Sequence, residues 1–168
     1  ETTCNVHRDA ALPKFHKQTF LAKDKNKPKS VNSEAPGYGR KAVIYATCFV
    51  NYNNPSIGTS AVDVLNANGV ETEVVYPSCC GMPQLEQGNI AEVARAAEKV
   101  AKELRSWVDD GNDIIALTPS CALMLKFEWP LILPENKDVR ALSAATYDID
   151  EYIVEIAKKE GLVDGLKP

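Results

Sequence analysis

The sequence predicts an α/β fold, a single domain built on a four-stranded parallel sheet with helices on both faces, of the Rossmann or flavodoxin-like kind. Strand-like and helix-like stretches alternate four times between residues 41 and 159, and that alternation calls for a parallel sheet with crossover helices. A length of 168 residues, 45% hydrophobic and 25% charged, suits one soluble globular domain with its own core. In such a sheet the loops leaving the carboxyl ends of the strands share one edge, where ligands collect.

Residues 1–36 read as an irregular basic arm preceding an α/β domain over 37–168. The run Lys23-Asp24-Lys25-Asn26-Lys27-Pro28-Lys29-Ser30 has almost no apolar content and a helix-breaking proline, which predicts a solvated, mobile segment. Residues 41–48 form a short apolar run rich in strand formers, the first strand. A polar loop over 51–55 leads to a helix over about 57–68, with Ala61, Val62 and Leu65 at helical spacing and Gly69 closing it. Residues 70–76 make the second strand.

The strongest helical pattern covers residues 89–110. Ile90, Val93, Ala94, Ala97, Val100, Ala101, Leu104 and Val108 recur at three- and four-residue intervals and make one apolar stripe. Residues 113–117 are the third strand. A helix starts at Thr118-Pro119-Ser120-Cys121, with proline suited to the first turn, and is expected to end at Pro130. A fourth strand is expected at 139–143 and a closing helix at 149–159.

Cys48 then ends the first strand, Cys79 and Cys80 follow the second, and Cys121 follows the third, so four thiols fall on one edge. Pro77-Ser78-Cys79-Cys80-Gly81-Met82-Pro83 is the stretch that gives this edge its chemistry. Adjacent side chains on extended backbone point to opposite sides, so both thiols can face one site only where the chain turns. Gly81 and the flanking prolines permit that turn, and the Gly81 turn can offer backbone N–H groups to sulfur. Four thiolates converging from three loops suit an iron–sulfur cluster or a tetrahedral zinc ion. A thiol–disulfide protein working through Cys79 and Cys80 is a further alternative, and it needs a depressed thiol pKa. An odd total of five cysteines fits a secreted disulfide framework poorly. Cys4 with His7 is a possible zinc half-site without a second pair at conventional spacing, and it is read as surface residues.

Residues 1–40 carry eight Lys/Arg against four Asp/Glu, or +4; residues 41–168 carry 11 against 19, or −8, which together give the net −4. An acidic body does not favour nucleic acid. No apolar run approaches the roughly 18 residues a membrane-spanning helix needs. No G-x-G-x-x-G fingerprint follows any strand, so flavin and nicotinamide are not expected ligands.

Cys48, then 30 residues, Cys79-Cys80-Gly81, then 39 residues and Cys121 resembles the cysteine-rich CCG domain. That family includes the cysteine-rich subunit of heterodisulfide reductase and the iron–sulfur subunits of glycolate, lactate and anaerobic glycerol-3-phosphate dehydrogenases. The strings Cys48-Phe49-Val50-Asn51-Tyr52-Asn53, Cys79-Cys80-Gly81-Met82-Pro83 and Pro119-Ser120-Cys121-Ala122-Leu123-Met124, with Glu128-Trp129-Pro130 beyond, look most like the glycerol-3-phosphate branch. The resemblance covers about residues 37–150. It implies an iron–sulfur electron-transfer domain of a respiratory dehydrogenase, with a cluster of the 4Fe–4S type on Cys48, Cys79, Cys80 and Cys121. It further implies a flavoprotein dehydrogenase partner, a membrane subunit linked to quinone, and a cytoplasmic location, peripheral at the inner membrane. Two departures qualify it. The family's last cysteine falls at position 124, where this chain has Met124, and the ferredoxin-like module and second Cys-Cys-Gly domain of larger members are missing. The chain therefore reads as one domain of a longer subunit.

Overall fold

In the computed structural model, which describes His7 and residues 9–165, four strands form one all-parallel sheet in the order β2-β1-β3-β4. The strands are β1 (Lys41–Tyr45), β2 (Glu71–Val75), β3 (Asp113–Ala116) and β4 (Thr146–Asp148). The helices are α1 (Phe20–Lys25), α2 (Pro55–Ala67), α3 (Met82–Glu86), α4 (Ile90–Asp109), α5 (Pro119–Leu123), α6 (Trp129–Ile132), α7 (Lys137–Ala145) and α8 (Ile149–Lys159). This is the α/β architecture that the alternation predicts. None of the described helices is long and apolar enough to cross a membrane.

The central strands are buried on both faces, as a parallel sheet between helical layers requires. Val43 and Tyr45 of β1 and Ile114 and Ala116 of β3 face a core completed by Val93, Ala97, Val100 and Leu104 of α4, Val139 and Leu142 of α7, and Trp129. Ala42, Ile44 and Ile115 face the opposite core, closed by Phe20 of α1, Val62 and Leu65 of α2, and Tyr152 and Ile156 of α8. Asn89 caps α4 by accepting from the Glu92 N–H, and Asp148 caps α8 by accepting from the Asp150 N–H.

Four expectations are corrected. Residues 139–143 belong to helix α7, and the fourth strand is the following Thr146–Asp148. Asn136 accepts from the Asp138 and Val139 N–H groups and starts a helix whose Val139 and Leu142, three apart, share the core face. Pro130 does not end the helix before it. A π-helical turn over Met124–Glu128 joins α5 to α6, with Pro130 in the first turn of α6. The Lys126 carbonyl, which the proline nitrogen cannot reach with a hydrogen, instead accepts the Ser143 hydroxyl at 2.7 Å.

Within the basic arm, Phe20–Lys25 departs from the irregular, mobile reading by forming helix α1, while the other described arm residues have no regular structure. Thr19 caps α1, and Phe20 is fully buried. An added Cβ on Gly58 would lie 2.5 Å from the Phe20 ring, so only glycine leaves room for it. Lys27 pairs with Asp63, and Lys29 pairs with Glu73 at 3.1 Å and with the buried Asp24 at 3.5 Å. Lys27 and Lys29 of this segment are thereby tied to the acidic body. Likewise the expected polar loop at 51–55 is a π-helical turn, Phe49–Asn53, whose buried Asn51 accepts from the Leu21 N–H of α1 at 3.1 Å.

Candidate metal centre

The three strands that matter end level with one another: Tyr45 is in register with Val75 on one side and with Ala116 on the other. The loops that follow therefore leave from one line. Cys48 lies three residues past β1 and opens the Phe49–Asn53 turn. Cys79 and Cys80 lie in the loop after β2, and Cys121 sits in the first turn of α5 after β3. Thr47 and Thr118 tie the first and third loops together through a 2.8 Å hydroxyl pair.

The four thiols meet. The Cys80 thiol donates to Cys121 Sγ at 3.3 Å, while Cys79 interacts with both Cys80 and Cys48, so the sulfurs run in series 48–79–80–121. All four are free of disulfides; Cys80 and Cys121 are buried, Cys48 and Cys79 half-buried. Gly81 has φ +84, the left-handed region, and begins α3. Its N–H is directed at the Cys79 sulfur, the Met82 N–H at the Cys80 sulfur, and the Phe49 N–H at the Cys48 sulfur.

The electrostatics of the edge favour a cationic occupant. The hydrogen bond to Cys121, with burial, pushes the Cys80 thiol up to about 12. The hydrogen bond with Cys80 and burial push Cys79 up, and burial first of all pushes Cys48 up. Residues 42–62, 74–85 and 114–125 contain no Asp, Glu, Lys or Arg. These loops supply no side-chain cation to neutralise four thiolates, which leaves that task within them to backbone dipoles and a bound metal group. Four sulfurs on one edge with amides turned toward three of them fit an iron–sulfur cluster. Among the described residues no three His, Cys, Asp or Glu side chains are grouped around a single metal-ion position. The thiols form a row, which fits a group with several metal atoms better than one tetrahedral zinc ion.

Two buried aromatic donors were not legible as site residues. The Tyr45 hydroxyl donates to the Ser78 carbonyl at 2.6 Å, and the Trp129 indole N–H donates to the Cys80 carbonyl at 3.1 Å. Both rings are fully buried. Together they grip the main chain on either side of the cysteine pair. The absence of charge across all three loops was readable in the sequence and would have strengthened the choice of this edge. Met124 is fully buried in the core that holds Cys80, Cys121 and Trp129. His7 and His16 are exposed, and Cys4 lies outside the described residues. A cavity of about 500 Å³ opens elsewhere, lined by Lys29, Tyr38, Arg40, Lys41 and Glu73 from around the amino ends of β1 and β2.

Gly81→Ala tests how far the turn depends on its left-handed backbone. The nearest heavy atom to an added Cβ is 3.5 Å away, an ordinary contact, so the cost is conformational, on the order of 1–3 kcal/mol. Urea unfolding of the variant should show that loss, and a stability equal to the parent would contradict the assigned turn.

Among proteins of known name, the chain is 30% identical over 143 residues to one subunit of the anaerobic glycerol-3-phosphate dehydrogenase of Escherichia coli (strain K12), covering 83% of this chain and 35% of that protein. It is 30% identical over 123 residues to lactate utilization protein A of Bacillus pumilus (strain SAFR-032), covering 69% and 49%. The corresponding protein of Geobacillus kaustophilus (strain HTA426) is 28% identical over 127 residues, covering 71% and 50%. The chain thus spans about a third to a half of the length of the curated relatives it matches. No solved structure matches it significantly. The cysteine-rich CCG domain matches residues 42–126, just over half of the 168 and from β1 to the turn beyond Cys121; the chain belongs to that family.

Proposed function

We propose that this chain is the iron–sulfur electron-transfer domain of a dehydrogenase subunit, with a 4Fe–4S cluster on Cys48, Cys79, Cys80 and Cys121. The observation that carries the reading is the row of four thiols, closed at 3.3 Å between Cys80 and Cys121, on three loops without charged side chains. When bound, the cluster supplies one-electron relay, and the hard chemical steps belong to cofactors elsewhere. The chain's own part is to hold the thiols, shield Cys80 and Cys121 from water, and turn backbone N–H groups toward sulfur. Hydrogen bonds of that kind stabilise negative charge on the sulfurs and help to set the potential.

The relatives' names, a dehydrogenase subunit and a lactate utilization protein, support a role within a larger assembly. In that assembly a flavoprotein partner oxidises a small hydroxylated organic acid or phosphate ester and delivers electrons. A membrane subunit linked to quinone receives them, and the chain sits at the cytoplasmic face of the membrane. The thiol–disulfide alternative is disfavoured by the site itself: neighbouring thiols and burial push Cys79 and Cys80 up, whereas a reactive thiolate needs the reverse.

Two experiments check this. Protein reconstituted with iron and sulfide without air should bleach reversibly on chemical reduction, yet oxidise neither glycerol 3-phosphate nor lactate with an artificial acceptor until a flavoprotein partner is added. Robust turnover by the chain alone would overturn the relay reading. Met124 occupies the family's fifth-cysteine place three residues after Cys121, within the same buried core. A thioether is a poor iron ligand beside thiolates, so Met124→Leu should keep its iron, whereas Met124→Cys should alter the visible spectrum. Complete metal loss in Met124→Leu would show that the ligand set is wrong.

A further inference from the structure

The Cys79-Cys80 pair is held at both ends by buried aromatic donors rather than by the sheet. Tyr45, the last residue of β1, donates to the carbonyl of the Ser78–Cys79 peptide at 2.6 Å, and Trp129, the first residue of α6, donates to the carbonyl of the Cys80–Gly81 peptide at 3.1 Å. The second contact has a chemical consequence. The peptide group is planar and trans, so its carbonyl and its N–H point in opposite directions along one line. The carbonyl that Trp129 grips and the Gly81 N–H that faces the Cys79 sulfur belong to the same peptide. A donor on the oxygen of an amide makes the N–H of that amide a better donor, by about 10–30% per bond in a low-dielectric interior.

We propose that Trp129 is a positioning residue for the thiol site: its indole N–H holds and polarises the Cys80–Gly81 peptide so that the amide hydrogen of that peptide is fixed on the Cys79 sulfur. The placement of Trp129 is built for this. The ring is fully buried among Cys80, Cys121 and Met124 in the α4–α7 core. The widened turn at Met124–Glu128, with Pro130 beyond it and the Ser143 hydroxyl on the Lys126 carbonyl, sets where α6 begins. Aromatic bulk alone could fill this core. The N–H is what a phenylalanine would not supply, and buried indole N–H groups are placed where a partner exists. An N–H on sulfur stabilises the more negatively charged, reduced state of a cluster, so Trp129 raises the potential of whatever cluster Cys79 holds.

The inference rests on the proposed cluster for its redox consequence, but its first readout does not. In the reduced, metal-free full chain labelled with nitrogen-15, replacing the Trp129 indole by isosteric benzothiophene removes one hydrogen and leaves the shape. The Gly81 amide resonance should move upfield and its hydrogen exchange should quicken. Trp129→Phe should do the same, and Trp107→Phe, which removes an indole outside the site, should not. In the reconstituted chain both Trp129 replacements should lower the potential, by roughly a threefold change in the oxidised-to-reduced ratio, or about 30 mV for a one-electron couple. Iron content in the isosteric variant should be unchanged. A Gly81 amide that does not respond to the isosteric replacement overturns the proposal, and so does an unaltered potential in a cluster-bearing variant. If the parent chain takes up no cluster, the proposed function fails, while the amide resonance still decides the role of Trp129.

Discussion

Cys80→Ser and Cys121→Ser each remove most of the iron from protein reconstituted without air. These two sulfurs are the buried pair at 3.3 Å, so no water can take the place of a lost thiolate without opening the core between α4 and α5. Loss of an outer partner already costs about 10–100-fold in metal affinity at many sites, and loss of a ligand should cost at least as much. Cys48→Ser and Cys79→Ser should also lose iron, since each is proposed to supply one of the four thiolates. Cys4→Ser should leave iron content near that of the parent. Iron and acid-labile sulfide, counted per chain, check the series. Equal loss from Cys4→Ser, or none from Cys80→Ser, would sink the ligand assignment.

Phe20→Ala destabilises the domain by about 3–5 kcal/mol, the usual cost of removing a buried aromatic ring. Phe20 is fully buried against Gly58, Val62 and Leu65 on the face opposite the α4–α7 core. Its helix is further fixed by the Thr19 cap and by the Asn51 side chain that accepts from Leu21. Gly58→Ala should act on the same contact by overpacking, at about 1–3 kcal/mol. Denaturant unfolding measures both. A mobile arm would leave Phe20→Ala within about 0.5 kcal/mol of the parent, as substitutions at unpacked surface positions do. Because Asn51 lies in the turn that Cys48 opens, undocking α1 should also loosen the first thiol. Loss of this helix is therefore expected to reach the metal centre.

The parts of the molecule that the sequence made legible are those with local causes. The α4 stripe, the apolar runs of β1 and β3, and the cysteines at three loop positions are all periodic or positional signals. They sufficed to bring Cys48, Cys79, Cys80 and Cys121 to one edge. What stayed hidden depends on distant partners. Phe20 is a lone apolar anchor beside a polar run, and its burial depends on a missing Cβ at Gly58, 38 positions away. β4 is only three residues long, and its place in the sheet comes from pairing with Ile114, Ile115 and Ala116. The short apolar run before it fits a strand as well as a helix until Asn136 is seen to cap α7. Pro130 is a helix breaker by local rules, yet a hydroxyl from α7 takes up the carbonyl it leaves behind. Tyr45 and Trp129 read as ordinary core residues because their donors are spent on carbonyls 33 and 49 positions away.

Whether the row of thiols holds an iron–sulfur cluster is decided by purifying the chain without air and measuring visible absorption together with iron, acid-labile sulfide and zinc. The expected result is a broad visible absorption that bleaches on reduction, with iron and sulfide in equal amounts at about four per chain, as a 4Fe–4S cluster on four cysteines requires. A colourless protein carrying one zinc ion per chain, or none, and no sulfide after reconstitution would contradict it.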